Sequence, residues 1–172
     1  TSNLAPGGKV YILGGTAAVP ESMVEALADF DVERLSGKSR FDTNLKILEE
    51  GGVTGQEILI STGWNFADCL SASATGLPIL MVDSKSGKLT DAQIEFLEAH
   101  KDNTYTIIGG SAAVSEELKA AIETVVGSEL NRLSGKTREA TSVKVAETYF
   151  TNPDYALLAY SRNFPDGLCG GP

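Results

Sequence analysis

Three short motifs occur in the same order twice along the chain. The first is an apolar run closed by paired glycines, Val10–Val19 (VYILGGTAAV) and again Tyr105–Val114 (YTIIGGSAAV). The second is Arg34–Thr43 (RLSGKSRFDT) and Arg132–Thr141 (RLSGKTREAT). The third is Asn65–Leu70 (NFADCL) and Asn163–Leu168 (NFPDGL). A duplication of this kind restricts the fold to a repeated unit, and it has to be read before secondary structure. The second and third motifs keep the same separation in both copies. The first two are slightly farther apart in the second copy, which a short insertion near Val126-Gly127-Ser128 explains. The repeats therefore divide as residues 9–102 and 103–172, after an N-terminal extension of residues 1–8. The join falls near His100-Lys101-Asp102-Asn103.

Strand and helix signals alternate within each copy. Lys9–Leu13, Val32–Leu35, Glu57–Ser61 and Pro78–Val82 are short apolar runs bounded by turn residues, as buried strands are. Between them lie helical patterns from Pro20 to about Phe30, from Arg40 to Glu50 and from Asn65 or Asp68 to Ala74. A further helix is capped by Thr90-Asp91 and carries Ile94, Phe96, Leu97 and Ala99. The second copy repeats this order: strand Tyr105–Ile108, helix Ser115–Val126, strand Leu130–Leu133, helix Arg138–Phe150 and strand Tyr155–Tyr160. It stops inside what would be the next helix. Alternation of this kind predicts βαβ units and parallel sheets. The expected fold class is α/β, with two similar lobes in tandem and the second truncated.

Open α/β sheets bind ligands beyond the carboxyl ends of their strands. All three motifs follow predicted strands, so those of one copy are expected to gather along one sheet edge. Gly14-Gly15 and Gly109-Gly110 fit neither common nucleotide fingerprint. They read as tight turns that need glycine's backbone freedom.

The second motif holds four of the five arginines in the chain. Arginine presents a rigid, always-charged fork that suits carboxylate and phosphate. Arg34, Lys38 and Arg40, and likewise Arg132, Lys136 and Arg138, form compact cationic clusters. For Arg40 and Arg138 two readings stand: anion binding, or a tie to an acid such as Asp42 or Asp68. Arg34 and Arg132 read first as structural, paired with neighbouring acids. Thr43 and Thr141 read as parts of a helical turn. Asn65, Asp68, Asn163 and Asp166 are either polar site residues or helix caps, each Asp being a candidate partner for the nearby Arg. Phe66 and Phe164 read as core. Trp64, present in the first copy alone, reads as an exposed ring near the loops.

Composition narrows the functions. A formal net charge of −9 argues against nucleic acid as a partner. No apolar run reaches the length of a membrane span. Cys69 and Cys169 with the lone His100 do not make a metal-site pattern, so no metal or cofactor is expected, and both cysteines read as small buried residues. His100 reads as a helix-terminal charge partner, and no nucleophilic triad is present.

The three motifs together resemble the type 2 cell wall binding repeat of Gram-positive surface proteins and autolysins. The resemblance runs from about Lys9 to the end of the chain. It implies a Rossmann-like or flavodoxin-like α/β fold for each repeat, with three repeats commonly arranged as a trimer. It also implies a secreted, non-catalytic module at the cell wall or cell surface, held by an anionic polymer such as a teichoic-acid-like chain or secondary polysaccharide. Arg34, Arg40, Arg132 and Arg138 stand at the family's motif arginines, and Asn65, Asp68, Asn163 and Asp166 at its Asn and Asp; from their side-chain chemistry, these residues together with Lys38 and Lys136 are the expected polymer-binding set. The implied partners are that polymer and further repeats of the same chain. Phe41, the family's usual aromatic, is replaced by Glu139 in the second copy, and its usual Ala is Asn44 or Ser142. Two other functions fit the fold: an enzyme or receptor for a small phosphorylated ligand, and a repeat that packs on its neighbours in a surface layer.

Overall fold

The computed structural model describes residues 4–5 and 7–168. Cys169 lies outside them. The chain divides into two compact units, Thr1–Gly51 and Gly52–Pro172.

The first unit contains strand β1 (Lys9–Leu13), helix α1 (Glu21–Glu25), strand β2 (Asp31–Leu35) and helix α2 (Arg40–Gly51). β1 and β2 form a two-stranded parallel sheet that runs from Lys9 opposite Asp31 to Leu13 opposite Leu35. Ile12 and Leu35 are buried with Phe41, Leu45 and Leu48 of α2. α1 is shorter than its sequence predicts, because none of its residues is buried. A short helix without a packed face has little to hold it together, and the chain continues beyond Glu25 as turns.

The second unit follows as β3 (Glu57–Thr62), α3 (Phe66–Ser73), β4 (Ile79–Val82), α4 (Asp91–Ala99), β5 (Thr104–Ile108), α5 (Glu116–Val126), β6 (Asn131–Leu133), α6 (Arg138–Tyr149) and α7 (Pro165–Leu168). Its four strands are all parallel, in the order β4-β3-β5-β6. Two strands of the first repeat thus join two of the second. Leu59, Ala72, Ile108 and Val145 form a core between this sheet and the packed pair α3 and α6. α4 packs against α5, on the side that right-handed crossovers assign to them. Ile58, Ile60, Leu80, Leu97, Ile107, Leu118 and Ile122 are inaccessible to solvent.

Caps define the helix ends. Ser115 Oγ accepts from Leu118 N at the start of α5, and Gly127 at φ 77° closes it. Gly127 lies in the stretch where the second copy is longer, so the insertion extends α5. His100 follows α4, with Nδ1 2.7 Å from the Phe96 carbonyl oxygen and its ring stacked on Phe96.

One predicted strand is absent. Residues 155–160 pair with no other strand, and Tyr155, Leu157, Leu158 and Tyr160 are all exposed. A strand needs a neighbour for its backbone groups, and no described strand lies alongside this segment.

Candidate functional site

Each glycine pair turns the chain just beyond a strand. Gly14 and Gly109 adopt φ of +109° and +115°, a region that strains residues carrying a Cβ. Their amides donate to the carbonyls of Leu35 and Leu133, which fastens each turn to the neighbouring strand end.

Arg34 and Arg132 serve those turns. Arg34 donates from Nη1 to the Gly14 carbonyl (2.8 Å) and from Nη2 to Glu21 Oε2 (2.8 Å). Arg132 donates to the Gly109 and Val114 carbonyls, each at 2.9 Å, and pairs with Glu116 at 3.1 Å. Both therefore hold the glycine turn against the helix that follows it.

The Ser-Gly-Lys segment folds back over the start of the next helix. Gly37 N donates to Thr43 Oγ1 at 2.9 Å and Gly135 N to Thr141 Oγ1 at 3.0 Å. A Cβ at Gly37 would lie 2.2 Å from Asp42 Cβ, and one at Gly135 would lie 2.4 Å from Ala140 Cβ. A larger residue at either position would force the backbone to shift. The repeated Gly and Thr are thus coupled through one hydrogen bond, a pairing the sequence showed only as two separate constants. Lys38 and Lys136, at the apex of the segment, are exposed.

The third motif supplies the correction. Asn65 caps α3 by accepting from Ala67 N at 3.3 Å. Asp68 lies in the first turn of α3, and a Cβ on Gly109 would come within 2.6 Å of its Oδ2. The acid of the first repeat therefore sits on the glycine turn of the second. Arg138, also from the second repeat, faces Asp68 and lies 5.6 Å from the centre of the Phe66 ring. It also donates to the Ser161 carbonyl at 2.8 Å. The three motifs of one copy do not share a sheet edge, because β3 pairs with β5 of the second repeat and not with β1 or β2 of its own. The meeting point lies where the strand order reverses between β3 and β5, the position at which such sheets open a crevice.

Burial pushes the Asp68 carboxyl above its usual range, and Arg138 opposes the shift. Glu139 has moved the other way, down to about 2, chiefly through the hydroxyl of Ser161, which donates to it at 2.6 Å. Nothing in the sequence linked Ser161 to this site. Cys69 is half-buried, and burial raises its thiol pKa.

Phe66 is half-buried and tilted against Phe164 at 5.8 Å between ring centres. Phe164 is exposed and not a core residue, because α7 buries none of its residues and leaves this flank open. Asn163 accepts from Phe164 N at 2.9 Å, and Asp166 is exposed in the first turn of α7. Trp64 is exposed and donates to Asp83 from its indole nitrogen, with Lys85 Nζ 3.7 Å from its ring centre. Arg40 is exposed at the first position of α2.

Fold and site together define a duplicated parallel α/β module in which an acid from one repeat meets a glycine turn and an arginine from the next. The sequence model of the cell wall binding domain 2 family matches residues 34–119, and the chain belongs to that family. It is 29% identical over 126 residues to the N-acetylmuramoyl-L-alanine amidase LytC of Bacillus subtilis (strain 168), covering 71% of this chain and 25% of that protein. It also resembles Cwp8 from Clostridium difficile, with a TM-score of 0.73, 29% identity, and coverage of 84% of this chain and 24% of Cwp8. Cwp6 from the same organism has the same fold at a TM-score of 0.73 and 24% identity, covering 82% of this chain and 24% of Cwp6. The chain thus spans about a quarter of the length of these relatives. Among the described residues no helix is long and apolar enough to cross a membrane.

Proposed function

We propose that the chain is a non-catalytic module that anchors a secreted surface protein to the cell wall by gripping an anionic secondary polymer. The observation that carries this reading is the division of labour within the repeated loop. Arg34 and Arg132 hold backbone carbonyls, whereas Lys38, Lys136 and Arg40 lie exposed at the same strand ends. Their charge is suited to a chain of phosphates or carboxylates, which local cations can hold against an overall negative protein. Within the second unit, Arg138, half-buried over Phe66, adds a further cation to that of Lys136. Asn65, Asp68, Asn163 and Asp166 offer amide and carboxyl groups to sugar hydroxyls.

Family membership supports the wall as the target. The amidase activity named for LytC belongs to that protein, only a quarter of which this chain covers. The test is retention on purified walls before and after acid extraction of their anionic polymers. Wild type is expected to bind intact walls, to lose binding after extraction, and to elute as salt rises. Replacing Lys38 and Lys136 together by Glu reverses charge at exposed positions, so the fold is expected to persist while retention falls. Unchanged retention by a folded double variant would refute the cationic grip.

A further inference from the structure

We propose that Trp64, flanked by Asp83 and Lys85, is a stacking site for a neutral sugar residue of the wall polymer, separate from the cations that hold its charges. The inference rests on the reading of the chain as a polymer-binding module, and it gives that module a second, uncharged point of grip.

Trp64 is the single tryptophan of the chain and is 40% exposed. An indole left in water forgoes much of the burial that makes it useful to a fold, yet this ring is held in place. Its Nε1 donates to Asp83 Oδ1, and Lys85 Nζ stands 3.7 Å from the ring centre. The two loops that carry these groups are tied together. Thr62 Oγ1 lies 2.7 Å from Ser84 Oγ and accepts from Trp64 N at 3.2 Å, and Gly63 N donates to the Val82 carbonyl at 3.0 Å. Asp83 Oδ1 also accepts from Lys85 N at 3.0 Å and Ser86 N at 3.2 Å, which closes the turn after β4. The repeated motif does not itself demand the ring, since Arg162 stands at the same place in the second copy. A ring that is exposed and already fixed loses little freedom when a ligand settles on it.

The chemistry of the three side chains selects the ligand. A pyranose carries C–H bonds on its faces and hydroxyls around its rim. That suits an aromatic plane flanked by a carboxylate that accepts and an ammonium that donates. The sugar takes the ring surface that Lys85 leaves open. A quaternary ammonium would suit the ring alone, but Lys85 already supplies a cation there. An anionic group would meet the Asp83 carboxylate. A neutral sugar meets neither obstacle.

Position supports the same ligand. Trp64 follows β3 and Asp83 follows β4, whose ends pair as Thr62 opposite Val82. Lys136 follows β6, at the other end of the order β4-β3-β5-β6. The ring and this lysine therefore share the carboxyl edge of one parallel sheet, where such sheets take ligands. Three strand spacings, about 14 Å, separate β4 from β6. A polymer laid along this edge meets a cation at one end and the aromatic ring at the other.

Because the chain has one tryptophan, its indole fluorescence reports this site alone. The probe is a set of neutral oligosaccharides made from the wall polymer by cleaving its phosphates with hydrofluoric acid and reducing its carboxyls. Titration into the full chain is expected to shift the emission to shorter wavelength and to saturate. By calorimetry, Trp64→Ala is expected to weaken binding of the same probe roughly tenfold, the loss typical of an aromatic anchor, with unchanged circular dichroism. Trp64→Phe, which keeps a ring, is expected to recover part of that loss. An emission that the probe leaves unmoved, while the intact anionic polymer still binds, would overturn the stacking site and leave the cationic grip standing. Probe binding that Trp64→Ala leaves intact would overturn it too, because the sugar would then sit elsewhere. A saturating shift with the probe, alongside full wall retention by the Lys38→Glu, Lys136→Glu variant, would support the stacking site and remove the cationic grip. Binding of neither polymer nor probe would overturn both.

Discussion

A methyl group at position 135 would lie 2.4 Å from Ala140 Cβ and 2.5 Å from its carbonyl carbon, so the loop must move to admit it. Gly135→Ala is therefore expected to destabilise the second unit by about 1–3 kcal/mol, the range found for overpacking, read as a shift in the urea midpoint. Thr141 is buried, and its hydroxyl is the acceptor for the Gly135 amide. Thr141→Val keeps the shape but leaves that amide without its partner, at a cost of about 1–2 kcal/mol by the same measurement. The Asp68 carboxyl is raised above 3.8 by burial, so folding favours its protonated form. The stability this group contributes is full below its unfolded value and is lost as pH rises through its folded value. Carboxyl NMR titration should find Asp68 above 3.8, and higher still in Arg138→Met, which removes the opposing charge. A midpoint that fell in that variant would show that Arg138 does not act on Asp68.

Helices α1 and α5 occupy the same place in their repeats, and sequence predicts both. α5 buries Leu118, Ile122 and Val126 over eleven residues, whereas α1 buries none and stops after five. Local propensity identified each helix, but only packing set its length. The strands were legible for the same local reason, except at residues 155–160. There an apolar run satisfies every local rule and lacks the neighbour that would make it a strand. The candidate site was harder to read. Arg34 and Arg132 read as structural because acids lie nearby in sequence, and each does meet one, Glu21 and Glu116, but their grip on the glycine-turn carbonyls left no mark in the sequence. The meeting of Asp68 with Gly109 left none either, because parallel strands leave no local mark of which strand they pair with. The expectation that a repeat is also a folding unit hid it. Helix α4 is a clear local case. Thr90 and Gln93 form a reciprocal cap, and Gln93 also donates to the Met81 carbonyl at 2.9 Å. Thr90→Ala is expected to cost about 1 kcal/mol, measured as a lowered urea midpoint with the fold retained.

At the scale of the whole molecule, the two units bury apolar surface very unequally. Seven or more side chains of the second are closed to solvent, whereas the first relies on a two-stranded sheet and one long helix. Two-stranded sheets are marginal unless something covers them. Native-state hydrogen exchange at low protein concentration is therefore expected to release β1 and β2 well before β3 and β5. Equal protection across all four strands would contradict this order. The placement of Asp68 on the glycine turn of the following repeat has a consequence for how such a chain can change over generations. A substitution at Asp68 is felt at Gly109 and Arg138, which descend from a different duplicate of the ancestral segment. Neighbouring duplicates are thus bound to drift as a pair. A recombination that reorders them would separate acid from turn, even if each duplicate were copied without error.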